Sequence, residues 1–417
     1  MVTESPPETG APTTPRRGGF ARLWTATTFT ALADGLYLMV LPLVALDLTQ
    51  SPSLVSGIRV AQTLAGFAIG LIAGYLVDRY NRKRLTIHAN VVRGACMLAL
   101  AVAAGADGLT LPMLYAAAFL IGVAETITDT AEQALVPMVV DKERLGRANS
   151  RIYGAQTVLN DFVGAPLGAA LLALSTAVAL YTPAGLYLAA CVVLLPLAGR
   201  FTAQHTEPLG SIWTGIGEGV RELRKDRDLF GLAVFQSGTQ FVNMAFFAVF
   251  VVFAVGSSSA MGLSEFGYSL LITAAAAGAV TGSVCADRVI GRLPGRTVLL
   301  LMTGGLALCF GVPAASSQPL VVGAALAVSG FVTAVGGIFT MSFRQALVRE
   351  EMLGRVTAGS RMLSLAARPL GALAGGAIAQ LASPRVLFVF LALLMVAAVP
   401  LVWRITAALR SFPGSAP

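Results

Sequence analysis

The chain has 417 residues, of which 56% are hydrophobic and only 12% are charged. Soluble globular proteins carry about 25% charged residues, so this composition excludes an ordinary soluble enzyme or nucleic-acid-binding domain. Apolar stretches of about 20 residues recur along the whole length, and each can cross a hydrocarbon core of about 30 Å as a helix. We therefore predict an all-α membrane protein.

The predicted elements begin with a tail and continue as a series of spans. Residues 1–20 are rich in Pro, Thr and Glu and have little to bury, so we expect a disordered tail. Twelve spans are predicted, at 21–48, 55–77, 85–104, 110–139, 151–175, 178–198, 229–255, 264–286, 296–315, 318–344, 357–382 and 386–407. Residues 408–417 form a second tail. All four cysteines fall inside spans, where we expect free thiols and no disulfide framework.

The longest predicted loop is the linker 199–228, between spans 6 and 7. Its sequence SIWTGIGEGVRELRKDRDL places Trp213 and four aliphatic residues on one helical face, with basic residues around the other. This pattern is typical of an amphipathic helix lying on the membrane surface. A flexible linker is the alternative.

The basic residues lie almost entirely in the loops of one side. The six loops of the other side together hold a single cation, Arg385. Positively charged loops stay in the cytoplasm, so we predict that both termini are cytoplasmic. The net charge of +8 then reflects topology and attraction to anionic membrane lipids, not nucleic acid. Only three of the 29 basic residues are lysine, and Ala and Gly are abundant, which favours a bacterial plasma (inner) membrane.

Four short motifs occur twice, about half the chain length apart. GYLVDR at 74–79 pairs with GSVCADR at 282–288, and QALV recurs at 133–136 and 345–348; LGR and PLGA recur in the same order. The repeats predict two six-helix bundles in tandem, 21–198 and 229–407. Parallel repeats with a substrate site at their interface are an architecture of secondary transporters.

The stretch GYLVDRYNRKRL, at 74–85, carries a family resemblance. It resembles the loop between spans 2 and 3 of the major facilitator superfamily, G-x-L-x-D-R-x-G-R-[KR], and the matching residues are Gly74, Leu76, Asp78, Arg79, Arg82 and Lys83. Asn81 replaces the second glycine, a mild departure because asparagine tolerates a left-handed turn better than most residues. VGAPLGAAL at 163–171 is similar to the Gly-Pro motif of drug exporters, and the likeness is greatest to the twelve-span drug:proton antiporters, which include macrolide and siderophore exporters.

The resemblance implies two pseudo-symmetric bundles and transport by alternating access. It also implies that Gly74, Asp78, Arg79, Arg82 and Lys83 form a gating motif that clamps the bundles together in one conformation. The alternative is that these charges only set topology. One departure is clear: the arginine often found in span 4 of drug antiporters is absent, and GVAETITDTAEQAL stands there instead.

Acidic residues inside spans are the strongest functional signal, because each charge costs ~2.5–3.5 kcal/mol at the bilayer centre. Asp34, Glu125 and Asp161 fall near the middle of spans 1, 4 and 5. Asp129 and Glu132 follow Glu125 on the same helical face, which must therefore look into a cavity or at another helix. We predict proton coupling at these five carboxylates; structural hydrogen bonds or ion pairs are the alternative.

Further polar residues fall inside spans 2, 3, 7 and 11. Arg59 and Arg93 are expected to reach a membrane surface by snorkelling, whereas Arg368 lies deeper and is a candidate for binding an anionic group. In span 7, the polar residues Gln236, Gln240 and Asn243 share a helical region with Phe235 and other phenylalanines. Such a wall suits a large amphipathic substrate, although phenylalanines that face lipid are equally common.

The sequence therefore predicts an exporter of amphipathic small molecules, such as drugs or natural products, driven by proton antiport. Its partners are the substrate, protons and membrane lipids, and we expect a monomer without a cofactor. No P-loop motif is present, and His88 and His205 lack metal-ligand spacing, so neither an enzyme nor a metal site is expected. A lipid or lysolipid flippase, an uptake symporter or facilitator, and a membrane sensor that does not transport are the alternatives.

Overall fold

A computed structural model describes residues 18–141, 144–199, 201–202, 221, 224, 227–347 and 350–405. The predicted disorder of the N-terminal tail before residue 18 lies outside these residues. So does most of the linker with the predicted amphipathic helix, including Trp213, and so does the C-terminal tail.

The described residues contain twelve helices that are long and apolar enough to cross a membrane, as predicted. The first half contains α1 Gly19–Leu48, α2 Pro52–Arg79, α3 Arg82–Gly105, α4 Leu111–Val139, α5 Leu145–Leu174 and α6 Thr176–Leu194. The second half contains α7 Arg227–Ala254, α8 Glu265–Arg292, α9 Gly295–Ala315, α10 Pro319–Leu347, α11 Glu350–Leu381 and α12 Pro384–Ile405. Helices α5 and α11 begin six and seven residues before their predicted starts, because their first turns are polar and hydropathy does not detect them.

Side-chain caps begin several of these helices. Ser51, Ser175 and Ser264 precede α2, α6 and α8, and each side chain accepts a hydrogen bond from a backbone N–H of the first turn. Asn81 does the same for α3, with Oδ1 accepting from the N–H of Arg84 at 3.1 Å. Its φ is −66°, so the chain makes no left-handed turn at Asn81, which serves instead as a helix cap.

The two halves repeat the same helix packing, which confirms the predicted tandem bundles. In the first half, α1 packs on α5, α2 on α4, and α3 on α4 and α6. In the second half, α7 packs on α11, α8 on α10, and α9 on α10 and α12. Adding six to each helix number of the first set gives the second set.

The second half has a core of aromatic rings. Phe246 of α7 is fully buried, and its ring centroid lies 4.9 Å from Phe250, 4.8 Å from Phe310 and 5.0 Å from Phe388. These rings join α7, α9 and α12. Most of the phenylalanine surface of span 7 therefore packs inside its own bundle, and Phe235 is also buried, with 2% exposure.

The halves contact each other through α2 with α11 and α5 with α8. Ser51 Oγ donates to Gln380 Oε1 at 2.7 Å, and Ser53 Oγ donates to the carbonyl oxygen of Gly376 at 2.9 Å. Both contacts lie at the helix ends opposite the termini. The structure is therefore closed on that side of the membrane.

Candidate functional site

A cavity of about 240 Å³ lies in the first half, between α1, α4 and α5. Four of the five predicted carboxylates, Asp34, Glu125, Asp129 and Glu132, line it. The prediction that the face of α4 bearing three of them looks into a cavity is confirmed. The side chain of the fifth, Asp161, lies outside the described residues, although its neighbour Asn160 lines the cavity.

The α5 wall of this cavity contains a π-helical turn, Thr157–Gly164. Pro166 follows directly and lacks the N–H that an α-helix would need at that position, which favours such a break. The turn also accommodates a close crossing with α1, because a Cβ on Gly35 would lie 2.5 Å from the carbonyl oxygen of Asn160.

Asp34 forms a buried ion pair with Arg93 of α3. Tyr187 of α6 donates its hydroxyl to the same carboxylate oxygen at 2.6 Å, and its ring centroid lies 4.4 Å from the Arg93 guanidinium carbon. Arg93 also donates to Asn90 Oδ1 at 3.3 Å. The side chain of Arg93 is 0% exposed, so the snorkelling prediction is wrong. Residue 93 lies roughly 16 Å along the helix from either end of α3, which is too far for its side chain to reach a membrane surface.

Glu125 has a different set of partners. Tyr37 donates its hydroxyl to Glu125 Oε2 at 3.2 Å, and Gln62 Nε2 approaches the same oxygen at 3.5 Å. The oxygen of the Gln62 amide, in turn, lies 3.4 Å from a guanidinium nitrogen of Arg59. A chain of polar contacts therefore runs from Arg59 through Gln62 to Glu125.

Glu132 lies about one helical turn beyond Asp129 and about two beyond Glu125, nearer the side of the membrane on which the chain termini lie. Its Oε2 accepts from Thr27 at 3.1 Å, whereas its Oε1 is buried without a protein partner. A second cavity of about 180 Å³ is lined by Thr27, Asp129 and Glu132 and extends to Asn149 at the start of α5. The carboxylates thus follow a polar path from the terminal side towards the buried Asp34.

A third cavity, of about 320 Å³, lies between the two halves; we call it the interbundle cavity. Its polar lining includes Arg59, Asn160 and Tyr268, and the remaining walls come from Gly35, Leu38, Met39, Ala165, Phe247, Ile272, Ala275, Ala276 and Ala279. Asn160 also lines the acid-lined cavity, so this residue of the π-helical turn lies between the two spaces. Arg59 faces this interior space and does not snorkel to the surface.

The predicted substrate residues of α7 and α11 are not among those that line the interbundle cavity. Gln236 donates to Thr340 Oγ1 at 2.8 Å and lies 3.5 Å from a nitrogen of Arg344. The side chains of Gln240 and Asn243 are partly exposed. Arg368 has a buried Nε without a hydrogen-bond partner, and its charge interacts with that of Glu125 across the interface. A substrate role for these residues stays a prediction.

The predicted gating motif makes its described contacts within the first half. Arg82 donates to the carbonyl oxygen of Ala134 in α4 at 3.2 Å. Lys83 donates to the carbonyl oxygens of Leu195 and Leu197, at 2.7 and 2.8 Å, and so caps the end of α6. The Asp78 side chain is 62% exposed and lies 3.7 Å from Arg82.

Nothing lies within 4 Å of a Cβ built on Gly74. In this conformation, therefore, the motif fixes helix ends of its own bundle and leaves Asp78 available for a contact in another state.

Residues 23–257 match the sequence model of the Major Facilitator Superfamily. The multidrug efflux pump Tap of Mycobacterium tuberculosis is 27% identical to the chain over 382 residues, which cover 88% of each protein. The Tap protein of Mycobacterium bovis gives the same values.

Solved structures share the fold. The nucleoside transporter NupG superposes with a TM-score of 0.77 at 12% identity, over 93% of this chain and 99% of that one. A bacterial homologue of the iron transporter ferroportin, in an inward-facing state, gives 0.73 at 17% identity, over 94% and 99%. At these identities, the likeness concerns the fold alone.

Proposed function

Because the chain belongs to the Major Facilitator Superfamily of membrane transporters, we propose that it exports amphipathic small molecules by proton antiport and alternating access. The similarity to a multidrug efflux pump over most of both chains supports the direction and the broad substrate class. We further propose a monomer in the bacterial plasma membrane, with both termini in the cytoplasm and with no cofactor, so that the proton gradient supplies the energy.

The observation that carries the proposal is the set of four carboxylates around one cavity inside the membrane region. Charges at this depth are costly and are retained mainly where they serve transport. The cavity wall of α4 offers three carboxylates in succession, at Glu125, Asp129 and Glu132, so a proton entering from one side has several acceptors along its route. Asp34, at the deep end, is held by Arg93 and Tyr187.

The proposed cycle uses these groups in two conformations. With the termini in the cytoplasm, the hydrogen bonds between α2 and α11 close the outer side, and in the proposed inward-open state protons leave to the inside and substrate enters from there. Protonation from outside and substrate binding from inside then favour opposite states, and each ligand shifts the equilibrium by its difference in affinity for the two. The exposed Asp78 would bind the other half in the outward-open state.

The test is transport in proteoliposomes that contain purified protein. The substrate is first chosen with a growth-inhibition panel of toxic amphiphiles, with and without the gene. An antiporter accumulates the substrate in vesicles whose interior is acidic, and a protonophore abolishes the accumulation. Accumulation only when the exterior is acidic would instead indicate a symporter, and equilibration without accumulation a facilitator. Net flipping of a labelled lysolipid, without drug transport, would indicate a flippase.

Carboxylate coupling is tested by substrate-induced proton release from the purified protein. We expect each of Glu125→Gln, Asp129→Asn and Glu132→Gln to reduce this proton release. A double variant, Asp34→Asn with Arg93→Met, removes the buried ion pair as a unit and should reduce the release as well. Asp47→Asn, at an exposed position near the end of α1, is the matched control. Release equal to that of the wild type in all four variants would contradict coupling through these residues.

The proposed topology has a separate test. A Ser211→Cys variant places a thiol in the linker, and an impermeant thiol reagent should label it only after the cells are opened. Labelling in intact cells would place the linker outside and overturn the proposed orientation.

A further inference from the structure

Arg59 lies in the interbundle cavity, about two helical turns from the start of α2 at Pro52. The cavity is lined by residues of α1, α2 and α5 from one half and of α7 and α8 from the other. Apart from Arg59, Asn160 and the hydroxyl of Tyr268, its walls are mostly aliphatic or aromatic. A guanidinium group is therefore exposed to an apolar space inside the membrane region.

Among the described residues, Arg59 finds little compensation for its charge. One terminal nitrogen lies 3.5 Å from the carbonyl oxygen of Leu38 and the other lies 3.4 Å from Gln62 Oε1. Both distances are well above the usual 2.9–3.0 Å of a strong N–H···O hydrogen bond. The ion pairs found among the described side chains are Arg82–Asp78 and Arg93–Asp34, and neither involves Arg59.

Arg93, the buried arginine of α3, has a much fuller set of partners. Arg93 is fully buried and has a carboxylate, an amide oxygen and an aromatic ring around its guanidinium. Arg59 has room on its cavity side instead. Arginine presents several N–H donors in a plane that matches the two oxygens of a carboxylate or phosphate.

The remaining lining of the interbundle cavity suits the rest of an amphipathic molecule. Phe247 and Tyr268 of the second half offer aromatic surface, and Leu38 and Ile272 offer aliphatic surface. Asn160 adds a second polar contact at the junction with the acid-lined cavity. The volume of about 320 Å³ is that of a small-molecule pocket.

We propose that the interbundle cavity binds amphipathic substrates that carry an oxyanion, such as a carboxylate or phosphate-type group. The oxyanion pairs with Arg59, and the aromatic or aliphatic body of the substrate contacts Phe247, Tyr268 and Leu38. This inference rests on the proposed transport function and specifies its substrate class. It also separates the two ligands: the substrate's anionic group binds at Arg59, and protons bind at the carboxylates of the neighbouring cavity. A substrate whose charged group was a cation would instead be drawn to those carboxylates.

Equilibrium binding to the purified full-length protein in detergent, without a proton gradient, tests the proposal. Three probes share the same fluorescent dansyl body: dansylglycine carries a carboxylate, its glycinamide analogue is neutral, and dansylcadaverine carries an amine. We expect the wild type to bind dansylglycine about 10- to 100-fold more tightly than the amide, the range of a charge-assisted hydrogen bond. Arg59→Gln should reduce this preference to less than about 3-fold, and Arg59→Lys should retain part of it.

The same substitution at an exposed arginine, Arg292→Gln at the end of α8, is the matched control and should leave the preference unchanged. The thermal stability of each variant is measured alongside. Phe247→Ala alters the opposite wall of the cavity and should lower the affinity for all three probes about equally. Equal affinity of the wild type for the acid and the amide, or a preference that survives Arg59→Gln, would overturn the proposal. Tightest binding of dansylcadaverine would overturn it in favour of a cation site at the carboxylates. Because no gradient is used, these outcomes leave the test of proton antiport independent.

Discussion

The ion pair between Asp34 and Arg93 should respond unequally to the loss of its two members. Asp34→Asn leaves a guanidinium that cannot be deprotonated, because its pKa in solution exceeds 12. Arg93→Met leaves a carboxylate that can escape its unfavourable site by taking up a proton. The carboxylate also keeps the hydrogen bond from Tyr187, and its side chain is 12% exposed to the cavity. We therefore expect Asp34→Asn to be the more destabilising change.

The magnitudes follow from burial. Breaking a buried ion pair by removing one partner costs about 3–5 kcal/mol of unfolding free energy, and the 0% exposure of Arg93 places Asp34→Asn in this range while Asp34 is ionised in the wild type. For Arg93→Met, the cost of protonating Asp34 sets an upper limit on the loss of unfolding free energy. Neutralising an ordinary aspartate, with a pKa of about 3.9, costs about 4 kcal/mol at pH 7 and about 1.5 kcal/mol at pH 5. The Arg93→Met protein should therefore recover stability as the pH falls, because its folded state binds the additional proton.

Equilibrium unfolding in mixed detergent micelles measures these free energies for the wild type, both single variants and the double variant. The double variant should lose less than the sum of the single changes, with a coupling of about 2–4 kcal/mol at pH 7. Additivity to within about 0.5 kcal/mol would show that the two side chains do not stabilise each other. A stability of Arg93→Met that is the same at pH 5 and pH 7 would refute the protonation argument.

Three further predictions concern packing, capping and gating. Gly35→Ala forces α1 away from α5 and should cost about 1–3 kcal/mol of unfolding free energy. Gly185→Ala is the control: nothing lies within 4 Å of the new Cβ, so this change should be neutral or stabilising. Thermal unfolding distinguishes the two variants. Lys83→Met frees two carbonyl groups at the end of α6 and should cost about 1 kcal/mol. Arg84→Met, at the next and exposed position of α3, should not. Asp78→Asn should impair transport at normal abundance, since the cations that set topology remain; a wild-type transport rate would reject a gating role.

Hydropathy predicted the twelve helices because it acts along one dimension. A run of apolar residues becomes a helix in lipid whatever surrounds it. The side of the membrane assigned from the loop cations stays a prediction. The repeat of short motifs likewise predicted the repeat of helix packing. The α4 carboxylates belong to the same class of inference, since helical periodicity alone places Glu125, Asp129 and Glu132 on one face.

Partners across helices were not predictable in this way. The ion pair joins residues 59 positions apart, and the tyrosine that completes it lies 94 positions beyond Arg93. A usable signal was nevertheless present, because an arginine in the middle of a predicted span needs a buried anion. For α7, periodicity indicated a polar and aromatic face but not what that face contacts. Phe246 packs inside its own bundle, whereas Phe247 lines the interbundle cavity.

On the side opposite the termini, two hydrogen bonds between uncharged groups join the halves, among the described side chains, beside the packing of α2 on α11. Together such bonds add about 1–3 kcal/mol to the closed state, which multiplies the ratio of closed to open molecules by about 5 to 150. A ligand that binds the two states with a comparable difference in affinity is enough to offset this contribution. Because neither hydrogen bond carries a net charge, the membrane voltage does no work on them when they break, and salt does not screen them.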